Sequence, residues 1–264
     1  MKKIVLFDMD GTLTEPRKEM LRPMTTALLN LQKNGFEIGI VSGSDMDYIE
    51  EQCEELFRPI FFPYLEHVHF LPCNGTKYYR YLRGSRRTIY EKDMRKELGE
   101  TNFRSLVKTI VNFQSRLCNT YSSLPLSGNF VSYRGSMINW CPIGRSATGS
   151  DRETWVLLDD RNRVRVPQME ALKAAFSDVN IEEIVVKLGG ETSFDIYPYG
   201  WDKTFSFGVF KDYNEIYFVG DRCNPSGNDY EAYLLAGEGG YNTDGPATTK
   251  IIIDKIINSS KEKP

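Results

Sequence analysis

The sequence predicts an α/β protein built on a parallel sheet and interrupted by an α+β unit. Three observations carry that expectation. Short apolar runs alternate with helical stretches up to about residue 75, hairpin patterns replace them as far as 197, and the strand–helix pattern resumes at Glu215.

Ile4-Val5-Leu6-Phe7 reads as a buried strand. Pro23 opens a helix with Ala27, Leu28 and Leu31 on one face, closed by Gly35. Ile38-Gly39-Ile40-Val41 is a second strand, and Ser44-Asp45 caps a helix running toward Phe57. Residues 68–71 form a third strand before the Asn74-Gly75 turn. Residues 78–90 read as a hairpin about Gly84-Ser85. Phe103, Leu106, Val107, Ile110, Val111 and Leu117 then recur at helical spacing. Residues 129–140 read as two strands joined at Gly135-Ser136, and Met169, Leu172 and Phe176 mark another helix. A second hairpin turns at Gly189-Gly190. Ile216-Tyr217-Phe218-Val219 is a buried strand ending at Gly220-Asp221, a helix follows near Asn228, and Ile251-Ile252-Ile253 begins the closing element. The expected division is a discontinuous core, 1–82 and 198–264, around an inserted unit at 83–197.

Composition narrows the classes. The 33 basic and 36 acidic residues leave a net charge of −3, which exerts no general pull toward nucleic acid or an anionic membrane. The apolar run before Asp8 is too short for a signal peptide, and no stretch reaches membrane-spanning length. The five cysteines are scattered without a CxxC pair, as expected of reduced cytoplasmic thiols. His67 and His69 are two ligands at most, too few for a closed zinc site. The Arg80, Arg83, Arg86, Arg87 cluster reads as a solvated hairpin rather than a nucleic-acid surface.

The chemistry starts at Asp8-Met9-Asp10-Gly11-Thr12-Leu13-Thr14. Two carboxylates one residue apart at a strand end are costly unless a cation lies near them, and Mg²⁺ suits oxygen ligands and phosphate. On an ideal strand both side chains would address one site. The strand ends of a parallel sheet should also gather Ser42-Gly43-Ser44, which offers hydroxyl and amide donors for phosphate, and Gly220-Asp221 with Asn228-Asp229. Lys203 supplies a compact positive charge for a transferring phosphoryl group.

The Asp8 to Thr14 string resembles the nucleophile motif of the haloacid dehalogenase superfamily. There the first Asp attacks phosphorus and the second is general acid/base. More of the chain resembles the eukaryotic-type phosphomannomutase family: Pro16-Arg17, residues 137–145, residues 189–203, and Gly220-Asp221 with Pro225-Ser226-Gly227-Asn228-Asp229. The resemblance implies Asp8 as nucleophile, Asp10 as acid/base, and Ser42, Ser44 and Lys203 around the phosphoryl group. It implies Mg²⁺ on Asp8, Asp221 and the Asp10 carbonyl, with Asp229 as a further ligand or one step removed. Arg17, Gln52, Arg134, Arg145, Arg152, Ser193 and Asp195 fall on substrate contacts. The implied reaction interconverts mannose 6-phosphate and mannose 1-phosphate through a hexose 1,6-bisphosphate, feeding GDP-mannose synthesis, in a homodimer paired through the inserted α+β unit, the family's cap. A sugar-phosphate phosphatase, a phosphoglucomutase or a silent homologue used as a binding protein are the alternatives. The chain departs from the family at three places: Arg134-Gly135-Ser136 replaces Arg-Asn-Gly, Ser42 replaces Gly, and Tyr233-Leu234-Leu235 lacks the acidic residue of a second cation site.

Overall fold

The computed structural model describes residues 1–179, 181 and 183–262. In chain order it begins with β1 (Lys3–Asp8), α1 (Arg22–Lys33), β2 (Phe36–Val41), α2 (Met46–Gln52), α3 (Phe62–Leu65), β3 (Val68–Leu71), β4 (Lys77–Leu82) and β5 (Ser85–Glu91). There follow α4 (Met94–Thr120), β6 (Val131–Tyr133), β7 (Ile138–Trp140), α5 (Gly149–Asn162), α6 (Arg165–Asp178), β8 (Ile184–Gly189) and β9 (Ser193–Pro198). The chain continues through α7 (Phe205–Val209), β10 (Glu215–Gly220), α8 (Tyr230–Ala236), β11 (Gly240–Asn242) and α9 (Pro246–Glu262).

Two compact units result: Met1–Glu91 together with Trp201 onward, and Lys92–Gly200. The first unit holds a seven-stranded sheet in the order β11-β10-β1-β2-β3-β4-β5. The strands from β11 to β3 are parallel, and β4 and β5 close one edge as an antiparallel hairpin. β1 is apolar on both faces because both are covered. Val5 and Phe7 pack with Leu28, Ile49 and Ile253, whereas Ile4 and Leu6 pack with Phe210, Phe218 and Ala232. β1 therefore sits in the middle of the sheet, between β10 and β2, and its last residue is Asp8.

The hairpin expected to open the inserted unit belongs to this sheet instead. β4 pairs with β3 and β5 with β4, which moves the division from 83 to 92. At the other end it falls after Gly200 rather than at 198, since the Tyr199 amide donates to the Glu183 carbonyl (2.8 Å).

The second unit is α+β: a four-stranded antiparallel sheet in the order β6-β7-β9-β8, with α4, α5 and α6. Trp140 and Phe194 stack at 4.6 Å in its core, with Phe113 edge-on to Trp140. The tight turn between β6 and β7, closed by the Arg134 amide donating to the Met137 carbonyl (2.8 Å), depends on Gly135, whose φ of +84° is a conformation an L side chain resists. This explains how Arg134-Gly135-Ser136 closes the hairpin without the family's Asn. Helix α5 is missing from the sequence reading. It buries only Trp155, so it lacks an apolar stripe, although Thr148 and Asp151 form a capping box at its start. Among the described residues no helix is long and apolar enough to cross a membrane.

Candidate active site

In the first unit, β1, β10 and the loop after β10 deliver Asp8, Asp221 and Asp229 to one place, with one carboxylate oxygen of each within 4.8 Å of the other two. Lys203 reaches the same point from the segment before α7. Its Nζ donates to Asp8 Oδ1 and to Asp229 Oδ1, each at 2.5 Å, and the side chain is fully buried. The other Asp8 oxygen accepts from Thr12 Oγ1 at 3.4 Å. The other Asp229 oxygen accepts from the Arg222 amide at 3.1 Å. Gly11 makes room for this cluster: a Cβ there would stand 2.4 Å from Asp221 Oδ2, and its φ is +82°.

Three carboxylates around one ammonium leave an excess of buried negative charge. Burial holds Asp8 well above the ordinary carboxylate range; Lys203 opposes that rise, and Asp229 and Asp221 add to it. Asp221 is pushed up to about 6, by burial first and by Asp229 second. Lys203 loses charge preference through burial, but Asp229 and Asp8 more than restore it and hold the ammonium above its usual range. Asn228, next to Asp229, carries a buried Oδ1 with no protein partner among the described residues. An acidic excess with an unused oxygen donor beside it is chemistry that a hard divalent cation would complete.

Asp10 is placed differently from the ideal-strand expectation. β1 ends at Asp8, so the alternation stops there, and the Asp10 carboxylate lies outside the three-carboxylate cluster. Its Oδ1 instead accepts from the Tyr48 hydroxyl (2.9 Å) and the Arg17 amide (3.0 Å). Ser42 follows Val41, the residue paired with Asp8, so it stands at the neighbouring strand end. Ser42 Oγ accepts from the Ser44 amide at 3.0 Å, which folds the loop into a tight turn. The Arg17 side chain is exposed. Gln52 ends α2 with a buried Oε1 that has no partner among the described residues.

In the second unit, Asn139 on β7 faces Asp195 on β9. Its Nδ2 donates to Asp195 Oδ1 (2.8 Å) and Ser193 Oγ (2.9 Å), and its Oδ1 accepts from Arg145 Nη1 (3.1 Å). Ser193 Oγ donates onward to the Gly189 carbonyl at 2.6 Å. Arg152 donates to Thr192 Oγ1 (3.3 Å) and pairs with Glu191 (3.2 Å). Arg134 is buried at the β6–β7 turn. Sequence reasoning named Arg145, Ser193 and Asp195 but missed Asn139, the residue that joins them. Thr12 and Tyr48 were also missed. Thr12 lay inside the quoted motif, whereas nothing local marks Tyr48, whose partner is 38 residues away.

Comparison with known proteins identifies the family and the fold. The family model described as "Eukaryotic phosphomannomutase" matches residues 24–259. The chain is 32% identical over 260 residues to a phosphomannomutase of Spinacia oleracea, covering 98% of this chain and 97% of that one. It is 34% identical over 232 residues to phosphomannomutase 1 of Dictyostelium discoideum, covering 86% and 85%. Among solved structures, an IMP-bound Plasmodium falciparum IMP-nucleotidase variant superposes with a TM-score of 0.70 at 11% identity, over 97% of this chain and 67% of that one. A haloacid dehalogenase-like hydrolase of Bacteroides thetaiotaomicron gives 0.56 at 16% identity, over 97% and 100%. The fold is therefore haloacid dehalogenase-like, a parallel-sheet core with a separate antiparallel α+β unit.

Proposed function

The chain belongs to the eukaryotic phosphomannomutase family, and from that premise we propose that it interconverts mannose 6-phosphate and mannose 1-phosphate. It is an isomerase by class, moving a phosphoryl group within a sugar. The observation that carries the reading is Asp8, held by Lys203 on one oxygen and by Thr12 on the other beside two further carboxylates.

Asp8 attacks phosphorus and becomes an aspartyl-phosphate as the phosphorus–sugar oxygen bond breaks, and Asp10 gives its proton to the departing oxygen. In the return step Asp10 takes the proton of the incoming hydroxyl as that oxygen bonds phosphorus. A hexose 1,6-bisphosphate supplies the phosphoryl group that starts the cycle. Lys203 balances charge on the transferring oxygens. Mg²⁺ would be held by Asp8, Asp221 and the Asp10 carbonyl, and when bound it supplies Lewis-acid charge for phosphoryl transfer. Asp229 accepts from Lys203 on one oxygen and from the Arg222 amide on the other, which supports a role as the anchor of Lys203 beside the ion or as a further ligand to it.

Arg145 and Arg152, with Arg134 at the turn, offer guanidinium groups suited to a substrate phosphate. The Asn139, Ser193 and Asp195 group offers donors and acceptors for sugar hydroxyls, and the unused Gln52 Oε1 suits a further hydroxyl. We extend the proposal to a homodimer paired through the second unit, which exposes Val111, Leu157 and Val166. Five free thiols support a cytoplasmic setting, in which mannose 1-phosphate would feed GDP-mannose synthesis.

Phosphorus NMR with Mg²⁺, mannose 1-phosphate and a trace of hexose 1,6-bisphosphate tests the reading. Growth of mannose 6-phosphate at constant total ester is the expected result. Growth of inorganic phosphate would make the chain a sugar-phosphate phosphatase, faster conversion of glucose 1-phosphate would make it a phosphoglucomutase, and no change would leave a silent homologue.

A further inference from the structure

Asp10 uses only one of its oxygens in the structure. Oδ1 accepts from the Tyr48 hydroxyl at 2.9 Å and from the Arg17 amide at 3.0 Å, and Oδ2 has no protein partner among the described residues. The two donors come from independent elements. Tyr48 lies in the first turn of α2, its amide bonded to the capping Asp45 carboxylate (3.1 Å) and its ring packed on the core of the first unit. Arg17 presents its amide from a left-handed backbone, φ +59°, a conformation a long side chain adopts only when its surroundings impose it.

Two donors on one carboxylate oxygen fix the plane of the group and leave its second oxygen for another partner. We propose that Tyr48 is a positioning residue for phosphoryl transfer, holding Asp10 by Oδ1 so that Oδ2 is the oxygen that carries the transferable proton. The proposal rests on the phosphotransferase reading of Asp8 and Asp10. As Asp8 bonds phosphorus and the phosphorus–oxygen bond to the sugar breaks, the Oδ2 proton passes to the sugar oxygen, which leaves as a hydroxyl. Asp10 remains as a carboxylate with Oδ1 still accepting from Tyr48. In reverse, Oδ2 receives the proton of the attacking hydroxyl. Without the Tyr48 hydroxyl the carboxylate keeps a single anchor and spends more time rotated away from the sugar oxygen.

The test uses two phosphoryl donors that differ in their need for that proton. A sugar alkoxide is a poor leaving group and requires protonation, whereas acetate leaves from acetyl phosphate unaided. Tyr48→Phe removes one hydroxyl and keeps the ring. In the Mg²⁺-loaded full chain, rapid-quench phosphorylation of Asp8 by hexose 1,6-bisphosphate should slow about tenfold, the value of one well-placed hydrogen bond. Phosphorylation by acetyl phosphate should change less than twofold, with the melting temperature unchanged and KM for the hexose phosphate held. Equal slowing with both donors would mean that Tyr48 only supports the fold, and no slowing with either would remove it from the reaction; both overturn the proposal. Should the wild-type chain release inorganic phosphate instead of isomerising, the mutase reading fails separately. The donor contrast is read identically when water is the final acceptor.

Discussion

Lys203 and Asp8 lie 195 residues apart in sequence and meet at 2.5 Å, both buried. The same ammonium spans to Asp229, also at 2.5 Å, so one cation balances two carboxylates from β1 and the loop after β10. Removing one partner from a buried pair leaves an uncompensated charge, at a cost of about 3–5 kcal/mol. Lys203→Met is therefore expected to lose turnover and to melt well below the wild type at neutral pH. Urea unfolding and an activity assay check both; a variant with near-normal turnover would show that the ammonium has no part in phosphoryl transfer.

Asp8→Asn should behave in the opposite way on stability. Asp8 is held above the ordinary carboxylate range, chiefly by burial, so its ionised form is disfavoured in the fold. A carboxylate with a raised folded pKa destabilises the folded state as pH rises past its unfolded value, and the neutral amide removes that penalty. Turnover should vanish while the melting temperature at pH 7 holds or rises. Appreciable residual turnover would falsify the covalent mechanism.

The strands of the first unit were legible because parallel strands covered on both faces read as unbroken apolar runs, as at residues 4–7, 38–41 and 216–219. Their ends located Asp8, Ser42 and Asp221. The β4–β5 hairpin was legible as a hairpin but not as part of this sheet, since β5 is an edge strand with almost every residue exposed and carries no sign of its neighbour. The place of the Asp10 carboxylate outside the three-carboxylate cluster was not legible, because alternation was extended past the end of β1. Asn139 lay inside the quoted 137–145 string, but no local rule singled out its role: its partners Ser193 and Asp195 lie 54 and 56 residues away, and only the β7–β9 register brings them together.

Asn139 gives the clearest prediction for the second unit. Asn139→Ala leaves Arg145 without one acceptor and Asp195 and Ser193 without a shared donor, in a buried site. Unmet buried polar groups cost about 1–3 kcal/mol each. Stability should fall by that order, and KM for the hexose phosphate should rise about tenfold or more as Arg145 loses its orientation. Unchanged KM would detach this cluster from substrate binding.

Arg152→Ala separates charge from structure. Arg152 already pairs with exposed Glu191, so its loss should cost the fold at most about 1 kcal/mol. A lost cation for a phosphate should instead appear in binding, raising KM about tenfold with kcat changed far less. Steady-state kinetics decide the matter: a fall in kcat at constant KM would place Arg152 in the transition state rather than in binding.

Acid stability should be set partly by a buried network in the first unit that the chemistry does not use. Glu37 Oε2 accepts from His69 Nε2 at 2.5 Å and from the Tyr213 hydroxyl at 2.7 Å, and His69 Nδ1 lies 2.6 Å from the Tyr78 hydroxyl. Glu37 is lowered from 4.5 to about 2, chiefly by the His69 hydrogen bond and against burial, with Tyr213 adding to the fall. A depressed carboxylate stabilises the fold fully above its unfolded pKa, and that contribution is lost as pH falls from 4.5 toward 2. His69 is lowered from 6.5, mainly by burial, so its neutral form also stabilises the fold fully above 6.5 and that share fades as pH falls below it. Both losses run the same way and follow one another on acidification. The Glu37 side chain is 31% exposed, which reduces its share to on the order of 1 kcal/mol after solvent screening. Urea unfolding at steps between pH 7 and pH 3 should show two stages of loss in the wild type, set against the gain that Asp8 and Asp221, both held above the ordinary carboxylate range, contribute as they protonate. Glu37→Gln should flatten the stage below 4.5, and a variant that tracks the wild-type slope there would place the acid sensitivity in other carboxylates.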